Sequence, residues 1–197
     1  MSKRHMMSML GVIVGVGVMA TQAFAFSASY DQKMTQGRNV YRSKMSLKDQ
    51  FFRMEMTAEG HAMIIIHNAD GTYTVMPSEG MAMKTAQLHP GQGPVNGASN
   101  YAQYLQQQHA TKTGSEVIDG RPCDIYKYTD SETGEPTTVW VWTANMFPIK
   151  FEIEAKAGKT VIELTNIQLA AAISDDAFQL PAGIQVMDMG NMMGAFQ

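Results

Sequence analysis

The side chains that could do chemistry in this sequence are a few histidines and acidic pairs, and their spacing matches no catalytic arrangement. His61 and His67 would share one face of an unbroken strand, but no third metal ligand stands near them in the sequence. The pair Asp175-Asp176 follows a serine, which is typical of charges at the start of a helix. The sequence also has no Gly-x-Ser-x-Gly, no His-Glu-x-x-His and no phosphate-binding glycine loop. We therefore predict that the protein is not an enzyme and has no catalytic residues, no resident metal and no cofactor.

The sequence has a single cysteine, Cys123, so no disulfide can form within the chain. Cys123 follows Pro122 at the head of an alternating segment, where a cysteine is usually a small buried hydrophobic residue. The alternative is an exposed thiol used in dimerisation or redox chemistry. That alternative lacks a Cys-x-x-Cys partner and a nearby cluster of cations.

Methionine is unusually frequent, with 18 residues in the chain, of which five precede residue 26. Many form Met-x-Met pairs, which place both sulfurs on one face of a strand: Met54/Met56, Met81/Met83 and Met187/Met189. Thioethers bind Cu(I), so these pairs could form a copper site in an oxidising compartment. They could also form a deformable lining for an apolar ligand, or simply fill a core. All three interpretations remain open on the sequence.

The segments that must position these residues are strands, and the clearest of them covers 149–156. Its residues alternate strictly between an apolar and a charged face, which predicts a strand with Phe151 and Ile153 facing the interior and Lys150 and Glu152 facing water. The preceding stretch 137–143 is β-branched and aromatic throughout, and 160–169 follows a tight turn. Three consecutive antiparallel strands are therefore expected in the last third of the chain.

Further alternating or apolar segments predict about ten short strands in total. The other segments are 30–37, 39–46, 50–57, 61–68, 72–76, 81–84, 116–119 and 123–129. A loop rich in Pro, Gly and Asn over 89–99 precedes a short helix at 101–109, which we expect to cover the open side of the sheet. The fold class is therefore mainly β, with a curved antiparallel sheet that is long enough to curl on itself.

The two ends of the chain are predicted to lie outside this domain. Residues 1–25 carry a basic start, an apolar run over 10–20 and the sequence Ala23-Phe24-Ala25, which together are typical of a signal peptide cleaved after Ala25. The domain then covers 26–186, and 187–197 is a flexible Met/Gly-rich tail. After residue 25 the chain has 13 basic and 18 acidic residues, a balance that argues against nucleic acid as a partner. We expect a periplasmic location.

Several segments, in this order, resemble a known family. They read Phe-Arg-Met-Glu-Met, Ile-Ile-Ile-His-Asn-Ala-Asp-Gly, Gly-Ser-Glu-Val-Ile-Asp-Gly, Cys-Asp-Ile-Tyr, Val-Trp-Val-Trp, Phe-Pro-Ile-Lys-Phe-Glu and Asp-Asp-Ala-Phe-Gln-Leu-Pro-Ala-Gly. Over residues 31–186 the order resembles the LolA/LolB superfamily of periplasmic outer-membrane lipoprotein carriers, and most closely a branch whose function is not established. The resemblance implies an unclosed β-barrel with a hydrophobic cavity, lid helices and shielded acyl chains. An arginine holds the lid shut in the carriers, and Arg42 or Arg53 could correspond to it.

The resulting functional hypothesis is an exported protein that holds a lipid, or the acyl chains of a lipoprotein, in a hydrophobic cavity. It would act in outer-membrane lipoprotein sorting as a monomer, with transient contacts to membrane-associated donor and acceptor proteins. The alternatives are a Met-rich copper-binding protein and a protein-protein adaptor on the same fold. The expected lipid-binding residues are apolar side chains of the predicted strands: Phe52, Met54, Met56, Ile64, Ile66, Trp140, Trp142, Phe151 and Ile153.

Overall fold

A curved sheet of twelve strands forms almost the whole fold. The computed structural model describes residues 26–58, 60–85, 100–131, 133–156 and 158–188. The strands are β1 (Ser27–Gln36), β2 (Asn39–Lys48), β3 (Phe51–Ala58), β4 (His61–Asn68), β5 (Gly71–Met76), β6 (Met81–Thr85), β7 (Thr111–Ile118), β8 (Arg121–Thr129), β9 (Pro136–Trp142), β10 (Phe147–Ala155), β11 (Gly158–Leu169) and β12 (Gln185–Asp188). The one α-helix among the described residues is α1 (Tyr101–Gln107). The predicted signal peptide and the tail beyond Asp188 lie outside the described residues.

The sheet is open, with the strand order β12-β6-β5-β4-β3-β2-β1-β11-β10-β9-β8-β7. The prediction of a mainly β fold with an unclosed barrel and a lid helix is therefore confirmed. The sheet differs from the purely antiparallel one expected, because β12 pairs with β6 in parallel. β12 was not expected from the sequence; its four residues are all exposed, and it crosses the expected domain boundary after residue 186.

Two meanders of consecutive hairpins contain eleven of the twelve strands. One contains β1 to β6 and the other β7 to β11, and β1 pairs with β11 to join them. The predicted strand at 149–156 is the central member of the second meander, between β9 and β11. The junction is reinforced by an ion pair between Lys33 and Glu163, whose charged atoms are 2.8 Å apart.

The cross-strand register defines two faces of the sheet, since residues directly opposite each other point to the same side. Phe151 lies opposite Ile162, which lies opposite Met34, and this side carries α1. We call it the helix face and the other side the outer face. The largest core cluster includes the fully buried Met45 and Leu47 of β2, which the same register places on the helix face.

The outer face of β2 to β5 is covered by the segment 173–184, which we call the C-terminal strap. The strap contains a short 3-10 helix, Asp175–Phe178, whose Phe178 is only 1% exposed. Asn68 Nδ2 donates to the carbonyl of Phe178 at 2.9 Å, and Arg53 Nη1 donates to the carbonyl of Ala177 at 3.2 Å. The predicted helical turn at this place is thus confirmed, and it ties the end of the chain to the first meander.

Glu152 on the outer face bridges two lysines. Its carboxylate is 2.9 Å from Lys150 Nζ and 2.6 Å from Lys159 Nζ. Only about a quarter of the Glu152 and Lys150 side chains is exposed, so both are less exposed than the sequence predicted. Hydrogen bonds from Lys159 and Lys150 hold the pKa of the Glu152 carboxyl below its usual value.

Replacing Glu152 with glutamine should lower the free energy of unfolding by about 1 kcal/mol at low salt, because solvent screens even a bridged surface charge. Since the folded-state pKa is lowered, this stabilisation is present above the unfolded-state pKa of the carboxyl and is lost as pH falls through the folded-state value. Urea denaturation over the pH range in which the Glu152 carboxyl titrates, at low and high salt, measures this difference in stability. Glu154→Gln, an exposed change on the same strand, is the control. Equal pH and salt dependence in the two variants would contradict the prediction.

Candidate functional site

The candidate site is the space between α1 and the helix face of the second meander. The side chain of Asn100 accepts a hydrogen bond from the backbone N–H of Gln103 and so caps the start of α1. Tyr101 and Leu105 are buried on the sheet side of the helix, where they pack against Val139 and Val141 of β9. Their spacing of four residues places Tyr101 and Leu105 on one side of the helix.

The end of α1 is fixed to the hairpin between β8 and β9. Gln108 Nε2 donates to Ser131 Oγ at 3.1 Å, and the backbone N–H of Ser131 donates to Gln108 Oε1 at 2.9 Å. Tyr104 also donates its hydroxyl to Asp130 Oδ2 at 3.3 Å. These contacts hold the helix in place over the sheet as a short lid.

A cavity of about 330 Å³ lies beneath this lid. Its apolar walls come from β10 and β11 and its polar rim from the β8–β9 hairpin, and its lining residues are Tyr30, Gln32, Tyr101, Tyr104, Tyr128, Asp130, Thr133, Glu135, Thr137, Phe147, Pro148, Phe151, Ile153, Ile162 and Leu164. A mainly apolar cavity of this size with a few polar groups on one side is typical of a small-molecule site. It can hold an amphipathic ligand with its apolar part against the strands.

Three tyrosines form the lid side of the cavity. Tyr101 stacks near Tyr104 with 5.3 Å between ring centroids, and Tyr104 meets the edge of Tyr128 at 6.0 Å. Burial, and to a lesser extent the neighbouring Tyr128, raises the pKa of Tyr101 and of Tyr104 well above the usual value, so both hydroxyls are protonated donors at neutral pH. The Tyr101 hydroxyl is buried and makes no hydrogen bond of good geometry within the described residues, although Tyr128 is close. A bound polar group is one way to satisfy it.

The structure divides the nine residues predicted to bind lipid between the two faces of the sheet. Phe151 and Ile153, which the alternation predicted to face the interior, are among the residues that line the cavity. Phe52, Met54 and Met56 share the helix face but lie on β3, in the other meander. These three therefore lie outside the lining of this cavity.

Ile64 and Ile66 are on the outer face, because they lie opposite Glu55 and Arg53 of β3. Ile66 is fully buried, and both pack in a cluster with Val75 on the side of the sheet that the C-terminal strap covers. Their run of apolar residues is explained by packing on both faces of β4, and the two cannot line the cavity together with Phe151.

Trp140 and Trp142 are not among the residues that line the cavity, and both pack in the main core cluster. Trp140 lies opposite Lys150, whose Nζ sits 4.1 Å from the Trp140 ring centroid, and its Nε1 donates to Glu116 Oε2 at 2.6 Å. The guanidinium of Arg121 covers the Trp142 ring at 5.2 Å. Each indole thus has a cation over its ring.

Two other residues considered for chemistry, His67 and Cys123, have structural roles. His67 stacks on Phe52 with 5.4 Å between ring centroids, its Nδ1 is 2.9 Å from Thr72 Oγ1, and burial lowers its pKa. Cys123 is 1% exposed and its thiol donates to the Arg121 carbonyl, which confirms the prediction of a buried thiol; burial raises its pKa. Within the described residues no three His, Cys, Asp or Glu side chains are grouped to hold a metal ion.

The two arginines considered for the lid lie on the outer face of the sheet, whereas α1 lies on the helix face. Arg53 donates to Glu55 Oε1 at 2.7 Å and to the C-terminal strap, which places it on the outer face, away from α1. Arg42 lies opposite Lys33 on that same face. The lid is therefore held by the Gln108–Ser131 and Tyr104–Asp130 contacts instead.

Sequence reasoning missed the tyrosines and the β11 wall of the cavity. Ile162 and Leu164 alternate with polar residues, a signal that could have placed them on one face of a strand. Tyr128 and Tyr30 gave no such signal, because only the sheet register brings β1 and β8 to the same cavity.

Comparison with known proteins places this chain in a family. Residues 26–146 match the family model described as Domain of unknown function (DUF4412). The chain belongs to the DUF4412 family. No curated protein matches this DUF4412 chain. In the part of the chain that the structure describes, no helix is long and apolar enough to cross a membrane.

Solved structures show the same fold at low sequence identity. An uncharacterised conserved protein from Thermus thermophilus is 9% identical with a TM-score of 0.60, over 84% of this chain and 91% of that one. MucB in the MucA/MucB complex of Pseudomonas aeruginosa is 16% identical with a TM-score of 0.53, over 82% of this chain and 58% of that one. A LolA superfamily protein from Nitrosomonas europaea is also similar, with 15% identity and a TM-score of 0.39 over 79% of this chain and 90% of that one. The first two of these similarities have TM-scores above 0.5 and show a shared fold.

Proposed function

We propose that the protein binds a lipid, or one acyl chain of an acylated protein, in the cavity beneath α1 and carries out no reaction on it. The observation that carries this proposal is the cavity itself, with apolar walls from β10 and β11 and tyrosine hydroxyls at its lid. An aliphatic chain needs no polar constellation along its length, and only its head group would meet the tyrosines and the β8–β9 hairpin.

The volume of the cavity limits the size of this ligand. At about 330 Å³ the cavity lies near the lower end of the range for small-molecule sites, which is roughly 300–1,000 Å³. This is enough for part of one acyl chain. The several chains of a lipoprotein anchor would require α1 to move away from Val139 and Val141.

The binding energy available from such a chain is large enough for a carrier. Burying ten methylenes at about 0.8 kcal/mol each gives roughly 8 kcal/mol before the costs of association. A chain with an N-terminal signal peptide would meet such ligands in the periplasm, after cleavage following Ala25. Transfer between membrane-associated donor and acceptor proteins, as in outer-membrane lipoprotein sorting, is the role that this location favours.

Filling the cavity tests the proposal. Ile153→Trp adds an indole to the cavity wall and should weaken binding of a fluorescent fatty acid at least roughly tenfold, since overlap with a large side chain excludes the ligand. Glu154→Trp introduces the same side chain one residue later, on the exposed side of the strand, and should leave the affinity unchanged. Fluorescence titration measures both affinities, and native mass spectrometry of the gently purified protein looks for a bound lipid.

Two results would count against a lipid-binding cavity. One is a wild-type protein that binds no fatty acid and carries no lipid adduct. The other is a wild-type affinity that Ile153→Trp leaves intact while circular dichroism shows that the variant is folded, because the ligand would then bind elsewhere.

A further inference from the structure

The sheet brings four methionines from four consecutive strands into one row on the helix face. Met56 of β3 lies directly opposite Met63 of β4, and Met76 of β5 lies directly opposite Met81 of β6. Ile64 pairs with Val75, so the next step of the same antiparallel ladder sets Met63 against Met76. We call Met56, Met63, Met76 and Met81 the methionine row.

Neighbours in this row are closer than the Met-x-Met pairs of the sequence. Directly opposed residues of antiparallel strands have Cα atoms about 4.5–5.5 Å apart, whereas residues two apart on one strand are separated by about 6.8 Å. Each methionine has three rotatable bonds beyond its backbone, so adjacent sulfurs of the row can converge on one point. The register therefore creates a group of thioethers that the spacing in the sequence did not show.

Partial exposure distinguishes the row from ordinary core filling. Met45, on the same face, is 0% exposed and belongs to the main core cluster. All four members of the methionine row are only partly buried and none belongs to a core cluster of the described residues. The four side chains are therefore partly accessible from solution.

A nitrogen donor and a carboxylate lie beside the two inner members of the row, Met63 and Met76. His61 is on the same face of β4 as Met63, two residues before it, and its side chain is exposed. His61, Met63 and Met76 line a common pocket, which Glu79 also lines. The imidazole can complete a soft coordination sphere, and the carboxylate offsets the positive charge of a cation bound by neutral ligands.

We propose that the methionine row, with His61, binds a Cu(I) ion. Thioethers are soft ligands that select Cu(I) over Zn²⁺, Mg²⁺ or Ca²⁺, and imidazole is a common copper ligand. The site is separate from the cavity beneath α1, because none of its residues lines that cavity. Copper binding is thus a second activity, independent of the proposed lipid binding.

Anaerobic titration of the full chain with Cu(I) against a chromophoric Cu(I) chelator tests the proposal. We expect one Cu(I) bound tightly enough to compete with the chelator. Met63→Leu/Met76→Leu should weaken Cu(I) binding at least roughly tenfold, because loss of residues that merely hold metal ligands in place already costs about that much. Leucine for methionine keeps the volume, so the fold should persist.

Met54→Leu/Met83→Leu is the matched control, because it removes the same number of sulfurs from the same face outside the row. It should leave Cu(I) affinity unchanged, and Zn²⁺ should not displace the copper. NMR of the wild-type protein with Ag(I), a redox-inert substitute for Cu(I), gives a second readout. The methionine methyl signals that shift should be those of the row alone. Absence of competitive binding, equal losses in the two double variants, or Ag(I) shifts outside the row would each overturn the site.

Discussion

Replacing Phe178 with alanine should lower the free energy of unfolding by about 3–5 kcal/mol, the range for truncating a fully buried ring. Phe178 is 1% exposed and meets Phe51 with 6.0 Å between ring centroids. Its carbonyl is the acceptor for Asn68, a buried amide that would lose its partner if the strap moved. The cost therefore combines a cavity with a weakened hydrogen bond.

Urea denaturation gives the size of this effect, and hydrogen exchange gives its location. The strap leads directly into β12, so the variant should show faster exchange in β12 and in β6, to which it pairs. Gln179→Ala, at an exposed neighbouring position, is the control and should change stability by less than about 0.5 kcal/mol. A Phe178→Ala protein with wild-type stability and unchanged exchange in β6 would show that the strap does not hold the outer face.

Replacing Phe151 with alanine should cost about 2 kcal/mol of stability and should also change ligand binding. The Phe151 ring is only partly buried, because it borders the cavity and meets Tyr101 edge-on at 6.3 Å between centroids. Truncating a ring beside open space lowers the free energy of unfolding by less than the roughly 3–5 kcal/mol expected for a fully packed ring. The enlarged cavity should then accept a longer fatty acid with higher relative affinity.

Phe52→Ala provides the comparison for a packed ring. Phe52 is 3% exposed in the main core and does not line the cavity, so its truncation should cost the full range of about 3–5 kcal/mol without changing the preference for chain length. Equal stability losses at Phe151 and Phe52, together with an unchanged chain-length preference, would mean that the space beneath α1 is filled and binds nothing.

The sequence predicted the strands well where local pattern determines them. The alternation at 149–156 gave β10 and the direction of Phe151, and the segment 61–68 coincides with β4. Turn residues such as those between β4 and β5 placed the hairpins, because glycine takes the positive φ found at Gly71. The predicted strand at 116–119 covers only the end of β7. The first residues of β7 are polar and exposed, so they show no alternation of apolar and polar side chains.

The site was harder to predict because it depends on the register between distant strands. A run such as Ile64 to Ile66 contains apolar residues of both faces, and nothing local says which face holds a cavity and which lies under the strap. The aromatic composition of β9 suggested a lipid surface, but the Trp140 ring packs against Lys150 and its indole N–H donates to Glu116. The methionine row likewise becomes visible only when four hairpins are aligned.

The pairing of β1 with β11 has a consequence for how the protein folds. Lys33 and Glu163, joined across this pair, are 130 residues apart in the chain, while the remaining antiparallel pairs of the sheet link consecutive strands. Each meander can therefore form from local contacts, but the curved sheet and its cavity exist only after the first strand meets one made near the end. Such a high contact order implies folding in roughly milliseconds to seconds rather than microseconds. Until that closure the edges of β1 and β11 are open templates for pairing with other chains, so the slowest step of folding is also the one most exposed to aggregation.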